Sequence, residues 1–555
     1  LQTRVLQSVF NFLACFLAQH MLLLSGFRGL LTLLLALPVL MVLAAWTQWD
    51  ASSAQVLQAL SQTVLPDYMF SSLLLCLGVG LGVVSMGSVT AAAVSLFDFP
   101  GRKTLEWALL LPLAMPAYVV AYAYTDFLQF SGPLQTQLRQ AFGWQGALWP
   151  DVRSLWGAAA VLSFSLYPYV YLLTRTALNE RAPQLMEAAR LLGLGLMQRI
   201  LRVALPLARP AIAAGVALAL METLADFGVS SYFGVQTFTA GIYKSWLVMD
   251  NRWAAAQLST VLLVLVGLML WLEFRAQSRL RFVNARLSSR TRESQPLRLR
   301  SWSALLAFVL CLMPILLGFV APLLIMFHAL WQNSQTQQVP WPSFMAWTWN
   351  SLRLGGITAV LAVACALLFA YGVRVQPSRW RLLSAQVTGL GYAIPGVVIV
   401  VGLLWPVSWL QTHWPQSQAG YWLTATILGL VWAYLVRFIA VALQSVQSGY
   451  SRISSATDET ARMLGTHGWA LFARVHWPLL NRATLAALLL VWVDVMKELP
   501  ATLVLRPFNT DTLAVVAYQL ARDERLGEAA LPSLALVLVG LLPVLLLSRA
   551  LRQPT

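Results

Sequence analysis

Apolar stretches of spanning length recur along this chain, and no other feature limits its fold so strongly. Twelve are present, near 29–47, 69–97, 104–128, 155–174, 207–230, 254–274, 302–330, 351–373, 383–410, 421–443, 480–505 and 530–548. Each holds about 20 residues or more, enough to cross ~30 Å of hydrocarbon at ~1.5 Å per residue. Backbone polar groups cannot stay unpaired in lipid, so the stretches must be helices. The short alternating segments of a β-barrel are not seen. The fold class is therefore all-α, a polytopic membrane protein. A water-soluble alternative needs more polar surface than this chain has. Only 10% of its 555 residues are charged, against about 25% in soluble domains.

The basic residues orient the spans. With the N-terminus inside, the cytoplasmic connections hold Arg102 and Lys103, Arg175 through Arg209, Arg275 through Arg300, Arg374, Arg379 and Arg381, and Arg452 through Arg482. Of 37 Lys and Arg, 27 then lie inside and eight outside, with Arg437 and Lys497 within spans. Both termini are expected in the cytoplasm. The net charge of +16 is explained by these loops, and nucleic acid is not needed as a partner. Residues 1–28 read as an interfacial segment or a misassigned start. Cys15, Cys76, Cys311 and Cys365 stand singly in apolar sequence and read as packing residues.

An internal duplication divides the chain into halves at 29–274 and 302–555, joined by a basic linker at 275–301 with eight arginines and one acid, Glu293. Glu187-Ala188-Ala189-Arg190-Leu191-Leu192-Gly193 leads to Pro206 in the first half. Glu459-Thr460-Ala461-Arg462-Met463-Leu464-Gly465 leads to Pro478 in the second. The offset is 272 throughout; earlier, Ser72 matches Ser351 and Pro116 matches Pro395 at 279. Each half has six spans, and each motif lies between its fourth and fifth. The pattern predicts a short helix, a glycine break, a second amphipathic helix and a proline at the start of a span. That is an elbow suited to docking on a partner.

The doubled pattern Glu-Ala-Ala, three residues, Gly, then Leu-Pro resembles the cytoplasmic loop signature of permease subunits of binding-protein-dependent ABC importers. The second copy departs from it at Thr460 and Trp477. A closer resemblance is to the fused ferric-iron permeases and covers nearly the whole chain after about residue 30. It is carried by Leu109 to Tyr118, Ala121 to Asp126, Glu222 to Gly228, Tyr232 to Thr239, Met496 to Thr502 and Leu505 to Phe508. The resemblance implies a type I importer fold, iron(III) as cargo, and a periplasmic binding protein that delivers it. It also implies two copies of an ABC ATPase subunit docked on the loops through Glu187, Ala188, Ala189, Gly193, Pro206, Glu459, Ala461, Gly465 and Pro478. ATP would bind those partners and no cofactor this chain. The chain has no phosphate-cradling G-x-x-x-x-G-K-[ST]; none of its three lysines follows a glycine. It is not expected to be an enzyme.

Two acids interrupt the fifth span of each half, four in all: Glu222 and Asp226, then Asp494 and Glu498. Charges at this depth cost about 2.5–3.5 kcal/mol on insertion scales and normally face a bundle interior or wet cavity. The i, i+4 spacing puts each pair on one helical face, with Lys497 placed to offset Glu498. They form a candidate translocation path, where carboxylate oxygens suit a hard cation; interhelical packing is the competing reading. Tyr118, Tyr122 and Tyr124 with Asp126 read as packing and interfacial anchors, and no metal site is assigned. His467 and His476, in the second loop, read as surface or docking residues. Thiamine or an oxyanion is the alternative cargo, and a twelve-span secondary transporter the alternative class.

Overall fold

Prolines decide where the apolar stretches stop being straight. The residue before proline is pushed out of the α region, and proline has no N–H to continue the ladder. In the computed structural model, which describes residues 21–47, 51–249, 251–284, 297–336, 338 and 340–552, the third stretch is not one helix. Its chain runs through Arg102–Ala108 and a 3₁₀ turn at Leu111–Ala114, extends at Met115 and Pro116, and restarts at Ala117. The two parts meet at 89°. Pro395 does the same in the second half, between Gly391–Ala393 and Gly396–His413. Among the described residues, 11 helices are long and apolar enough to span, or 12 if the bent pair counts as one.

In chain order the principal helices are α1 (Met21–Ala44), α2 (Leu65–Leu96), α3 (Ala117–Leu128), α4 (Leu155–Leu191), α5 (Leu205–Ala225), α6 (Gly228–Tyr232), α7 (Arg252–Asn284) and α8 (Trp302–Thr336). They continue as α9 (Trp341–Val375), α10 (Gly396–His413), α11 (Ile427–Ser451), α12 (Ser455–Met463), α13 (Trp477–Lys497), α14 (Pro500–Leu505), α15 (Leu513–Arg522) and α16 (Leu526–Arg552). Of the N-terminal segment 1–28, residues 1–20 lie outside the described residues, and the remainder opens α1. The linker 275–301 is helical to Asn284 and lies outside the described residues at 285–296. Its Leu297–Arg298 pairs in parallel with Phe97–Asp98.

Two compact units form, one from Leu1–Ala44 and Thr348–Asp511, the other from Ala45–Trp347 and Thr512–Thr555. They cut across the halves defined by the repeat. Helix α1 packs on α10 among second-half helices, whereas α8 and α16 pack together among first-half helices. In the larger unit, α2 lies along α4, and α5 packs on both. Glycine allows that closeness: a Cβ at Gly82 would stand 2.2 Å from the Ser163 Oγ, and one at Gly87 2.7 Å from the Val170 Cβ. Small residues at helix contacts are the usual device in lipid, where apolar burial gives no net drive to associate. The opposite face of α2 leaves Phe70, Leu73, Leu77 and Leu81 exposed, as a lipid-facing stripe should be. Cys311 is buried and Cys76 and Cys365 partly so, all unpaired; Cys15 lies outside the described residues.

Candidate functional site

Both elbows fold through the same local chemistry. Helix α4 runs unbroken from the bilayer through Glu187, Ala188 and Ala189 to Leu191. It stops because Gly193 adopts φ +80°, a left-handed conformation that costs other residues roughly 1–2 kcal/mol. The Gly193 N–H donates to the Arg190 carbonyl (3.0 Å) and the Leu194 N–H to the Ala189 carbonyl (3.1 Å). This is the Schellman arrangement, which satisfies carbonyls left over at a helix end. In the second elbow Gly465 has φ +81°. The Gly465 N–H donates to Arg462 (3.0 Å) and the Thr466 N–H to Ala461 (3.0 Å). All four pairs match at the repeat offset.

Beyond the glycines, the helices restart at Leu196 and Gly468 and continue into α5 and α13 without a stop. The expected separate amphipathic helix is thus the cytoplasmic end of the fifth span. A π turn at Ile200–Ala204 precedes Pro206, and one at Phe472–His476 precedes Pro478. A proline ring clashes with the carbonyl four residues back, and a wider turn relieves this; the Leu205 and Trp477 N–H groups reach back five residues, to Ile200 and Phe472. Glu187, Ala188 and Glu459 are exposed, and Ala189 and Ala461 are buried. At the tip of each elbow two apolar side chains stand 80–89% exposed: Leu191 and Leu192, then Met463 and Leu464. Sequence reasoning passed over them because they read as ordinary apolar helix residues.

The elbows are anchored differently. Met186, on the turn before Glu187, packs in an apolar cluster with Leu96, Leu178, Ala204 and Ala208. The residue at the same repeat position in the second elbow is Asp458, which is buried. Its carboxylate accepts from Arg374 Nε at 2.8 Å and meets His476 Nε2 at 3.0 Å. Arg374 also donates to the carbonyls of Ile453 and Ser454, both at 2.9 Å, and the Tyr450 hydroxyl lies 3.4 Å from His476 Nδ1. Burial works to raise the Asp458 carboxyl, but hydrogen bonds from Arg374 and His476 outweigh it and hold it below the usual carboxylate value. His476 is therefore not a surface residue: it is fully buried, because Asp458 and Tyr450 supply partners on both ring nitrogens. His467 is exposed, as expected.

The four intramembrane acids divide by role. Helix α5 ends at Ala225 and α13 at Lys497, so Asp226 and Glu498 lie just past the helices in extended backbone. They do not continue the helical face of Glu222 and Asp494. Each caps the short helix that follows. Asp226 accepts from the Val229 and Ser230 N–H groups (3.4 and 3.0 Å) and from the Ser230 hydroxyl. Glu498 accepts from the Ala501 and Thr502 N–H groups (3.0 and 3.1 Å) and from the Thr502 hydroxyl. Such caps answer the unpaired N–H groups at a helix start. Glu498 is buried and pairs with Arg437 at 3.4 Å, not with Lys497; Lys497 feels Asp494 instead. Asp226 is partly exposed, and among the described residues no ion pair reaches it. Glu222 and Asp494 are partly exposed too. Among the described residues no three His, Cys, Asp or Glu side chains form a metal-holding group.

Comparison with known proteins follows the same lines. Residues 83–282 match the family model of the binding-protein-dependent transport system inner membrane component. The chain is 24% identical over 523 residues to an Fe(3+)-transport system permease protein of Haemophilus influenzae, covering 94% of this chain and 96% of the relative. It is 23% identical over 434 residues to a ferric transport system permease protein of Actinobacillus pleuropneumoniae, covering 75% of this chain and 61% of the relative. It is also 30% identical over 205 residues to a sulfate transport system permease protein of Escherichia coli, covering 36% of this chain and 68% of the relative.

Proposed function

Because the chain belongs to the family of binding-protein-dependent transport system inner membrane components, we propose that it is the fused permease of an ATP-driven importer and that its cargo is iron(III). The observation that carries the transport reading is the duplicated elbow, with the same glycine stop and the same exposed apolar tip in both copies. One chain thereby offers two docking points, one for each of two separate ATPase subunits. A binding protein delivers cargo at the outer face, and both termini and both elbows face the cytoplasm. Closure of the ATPase pair on ATP draws the elbows together and opens the permease outward; hydrolysis resets it. The two states differ in partner affinity, as any coupled switch requires. Iron is favoured because similarity to the Haemophilus ferric permease extends over almost all of both chains. Glu222, Asp226, Asp494 and Glu498 are the candidate contacts along the path.

A second reading, an oxyanion cargo, draws support from the sulfate permease likeness, which covers about a third of this chain. The deciding experiment reconstitutes the permease with its ATPase subunits and binding protein in proteoliposomes and follows iron(III), sulfate and thiamine. Uptake of iron that needs ATP and stops on Leu192→Asp or Leu464→Asp supports the proposal. Sulfate uptake in its place would favour the second reading, and gradient-driven uptake without ATPase subunits would sink the importer reading. Glu222→Gln and Asp494→Asn, if they leave transport and coupling intact, drop out of the path.

A further inference from the structure

The larger unit gathers oxygen donors around one side chain, Tyr122, where the matching part of the second half has apolar residues. Tyr118 and Tyr122 lie one turn apart on α3, with ring centroids 5.7 Å apart. Tyr232, at the end of α6, packs edge-on against Tyr122 at 4.7 Å. Tyr518, on α15, joins through its hydroxyl, 2.9 Å from the Ser231 hydroxyl. Asp226 caps the helix that carries Ser231 and Tyr232. Tyr118, Tyr232, Tyr518 and Asp226 all stand close enough to Tyr122 to interact with it electrostatically.

Two features are unexplained by packing alone. The Tyr122 side chain is fully buried, yet its hydroxyl has no hydrogen-bond partner among the described residues. A buried unpaired hydroxyl costs about 1–3 kcal/mol that phenylalanine would avoid. Asp226 is a partly exposed carboxylate with no ion pair among the described residues, whereas its repeat counterpart Glu498 is buried and matched by Arg437. Arg153 lies beyond Tyr232, 3.4 Å from its hydroxyl, but its ion pair is with Glu524. In the second half the places of Tyr118, Tyr122 and Tyr232 are taken by Val397, Val401 and Val504. The duplicated scaffold therefore needs no tyrosine at these positions.

We propose that Asp226 and the phenol oxygens around Tyr122 form a one-sided contact station for a trivalent, oxygen-seeking cation on its way through the permease. The proposal rests on iron(III) being the cargo. Carboxylate and phenol oxygens are hard donors suited to a hard ion. They lack the thiolate and imidazole ligands that would hold a softer metal. Glu222 lies within electrostatic reach of Asp226, and Asp126 of Tyr232, so the station sits in a field that attracts a cation.

The test uses the full permease with its ATPase subunits in lipid nanodiscs and proteoliposomes. Tyr122→Phe keeps the ring and loses the oxygen; Asp226→Asn keeps a capping oxygen and loses the charge. Tyr167→Phe, which removes a buried hydroxyl bonded to the Leu109 carbonyl, is the control. Tb(III), excited through tyrosine, reports direct contact, and iron(III) uptake with binding protein and ATP reports transport. We expect Tyr122→Phe and Asp226→Asn each to lower the Tb(III) signal and to slow iron uptake about tenfold, the scale of one lost charge-assisted contact. Asp226→Asn should melt near the wild-type temperature and Tyr122→Phe at or above it, since phenylalanine leaves no unpaired hydroxyl, and Tyr167→Phe should retain the signal. Wild-type signal and uptake in both variants would overturn the station while leaving iron as cargo. Slower uptake at unchanged Tb(III) signal would overturn it in favour of a packing role. A wild-type permease that carries sulfate and no iron would remove the premise, and the station with it.

Discussion

The two elbows have one backbone and two anchors, and the difference separates what shapes an elbow from what holds it. Shape comes from Gly193 and Gly465, whose φ values agree within a degree, and from the paired Schellman bonds. Holding is left to the turn before. There the first elbow uses Met186 among Leu96, Leu178 and Ala204, and the second uses Asp458 among Arg374, Tyr450 and His476. The larger unit has a buried ion pair as well, Arg175 with Glu106, but neither residue belongs to the elbow. An apolar anchor tolerates small displacements because dispersion is non-directional. A carboxylate gripped by Arg374 and His476 does not, since losing one partner leaves the others buried and unmatched. The second elbow should therefore move with its bundle as a rigid piece, and the first should have more play.

The largest effect should come from breaking the ionic anchor. Asp458→Ala strands Arg374 and His476 and should cost about 3–5 kcal/mol in a melting assay, as removal of one partner of a buried pair does. Rebuilding the site with the first-half residues, Asp458→Met, His476→Ala and Arg374→Ser together, should recover most of that loss, because apolar replacement of a whole buried network is often neutral or better. A triple variant as unstable as the single one would mean that the anchors are not interchangeable. The pH dependence has a definite sign. The folded Asp458 carboxyl lies below its usual value, so its contribution is fully present above about pH 4 and fades as pH falls through the depressed folded value. The stability gap between wild type and Asp458→Asn should stay level from pH 7 to about 5 and close only on stronger acidification. Next in size, Met186→Ala should cost about 2–3 kcal/mol through the cavity it leaves, with no such pH dependence.

How much of this could be read from the sequence depends on how local the cause is. The elbows were legible because a glycine stop and a proline restart are set by neighbours in the chain. Asp226 and Glu498 were legible as unusual but not as caps. Their i, i+4 spacing from Glu222 and Asp494 suggests a continuing helical face, whereas Gly228 and Pro500, two residues on, were the signal that each helix had ended. The kinks at Pro116 and Pro395 hide in a hydropathy profile, which counts apolar residues and not their direction. His476 was misread as exposed because its partners come from 18 and 26 residues away in the chain, and charge near a basic loop looks solvated. The grouping of α1 with the second half and of α8 with the first is a tertiary choice that no local pattern encodes.

Smaller changes sharpen the comparison further. Gly193→Ala and Gly465→Ala should cost the same, about 1–2 kcal/mol each, since nothing lies within 4 Å of a Cβ added at either position and only backbone strain is paid. Unequal costs would show that the elbows differ in shape as well as anchoring.

The smallest effect tests where the second elbow gained its independence. Ser454 caps α12, accepting from the Thr457 N–H at 3.3 Å, because α11 stops at Ser451 and a new helix must start. Its repeat counterpart, Ala182, lies inside the unbroken α4, where no start needs a cap. Ser454→Ala should therefore cost about 1 kcal/mol, the usual worth of a serine cap, and should raise hydrogen exchange in 455–463 without changing it in 185–191. Equal exchange in both segments would mean that Arg374, which also holds the carbonyls of Ile453 and Ser454, fixes the start of α12 by itself. The cap would then be redundant with the ionic anchor, and the second elbow would have one support where the geometry provides two.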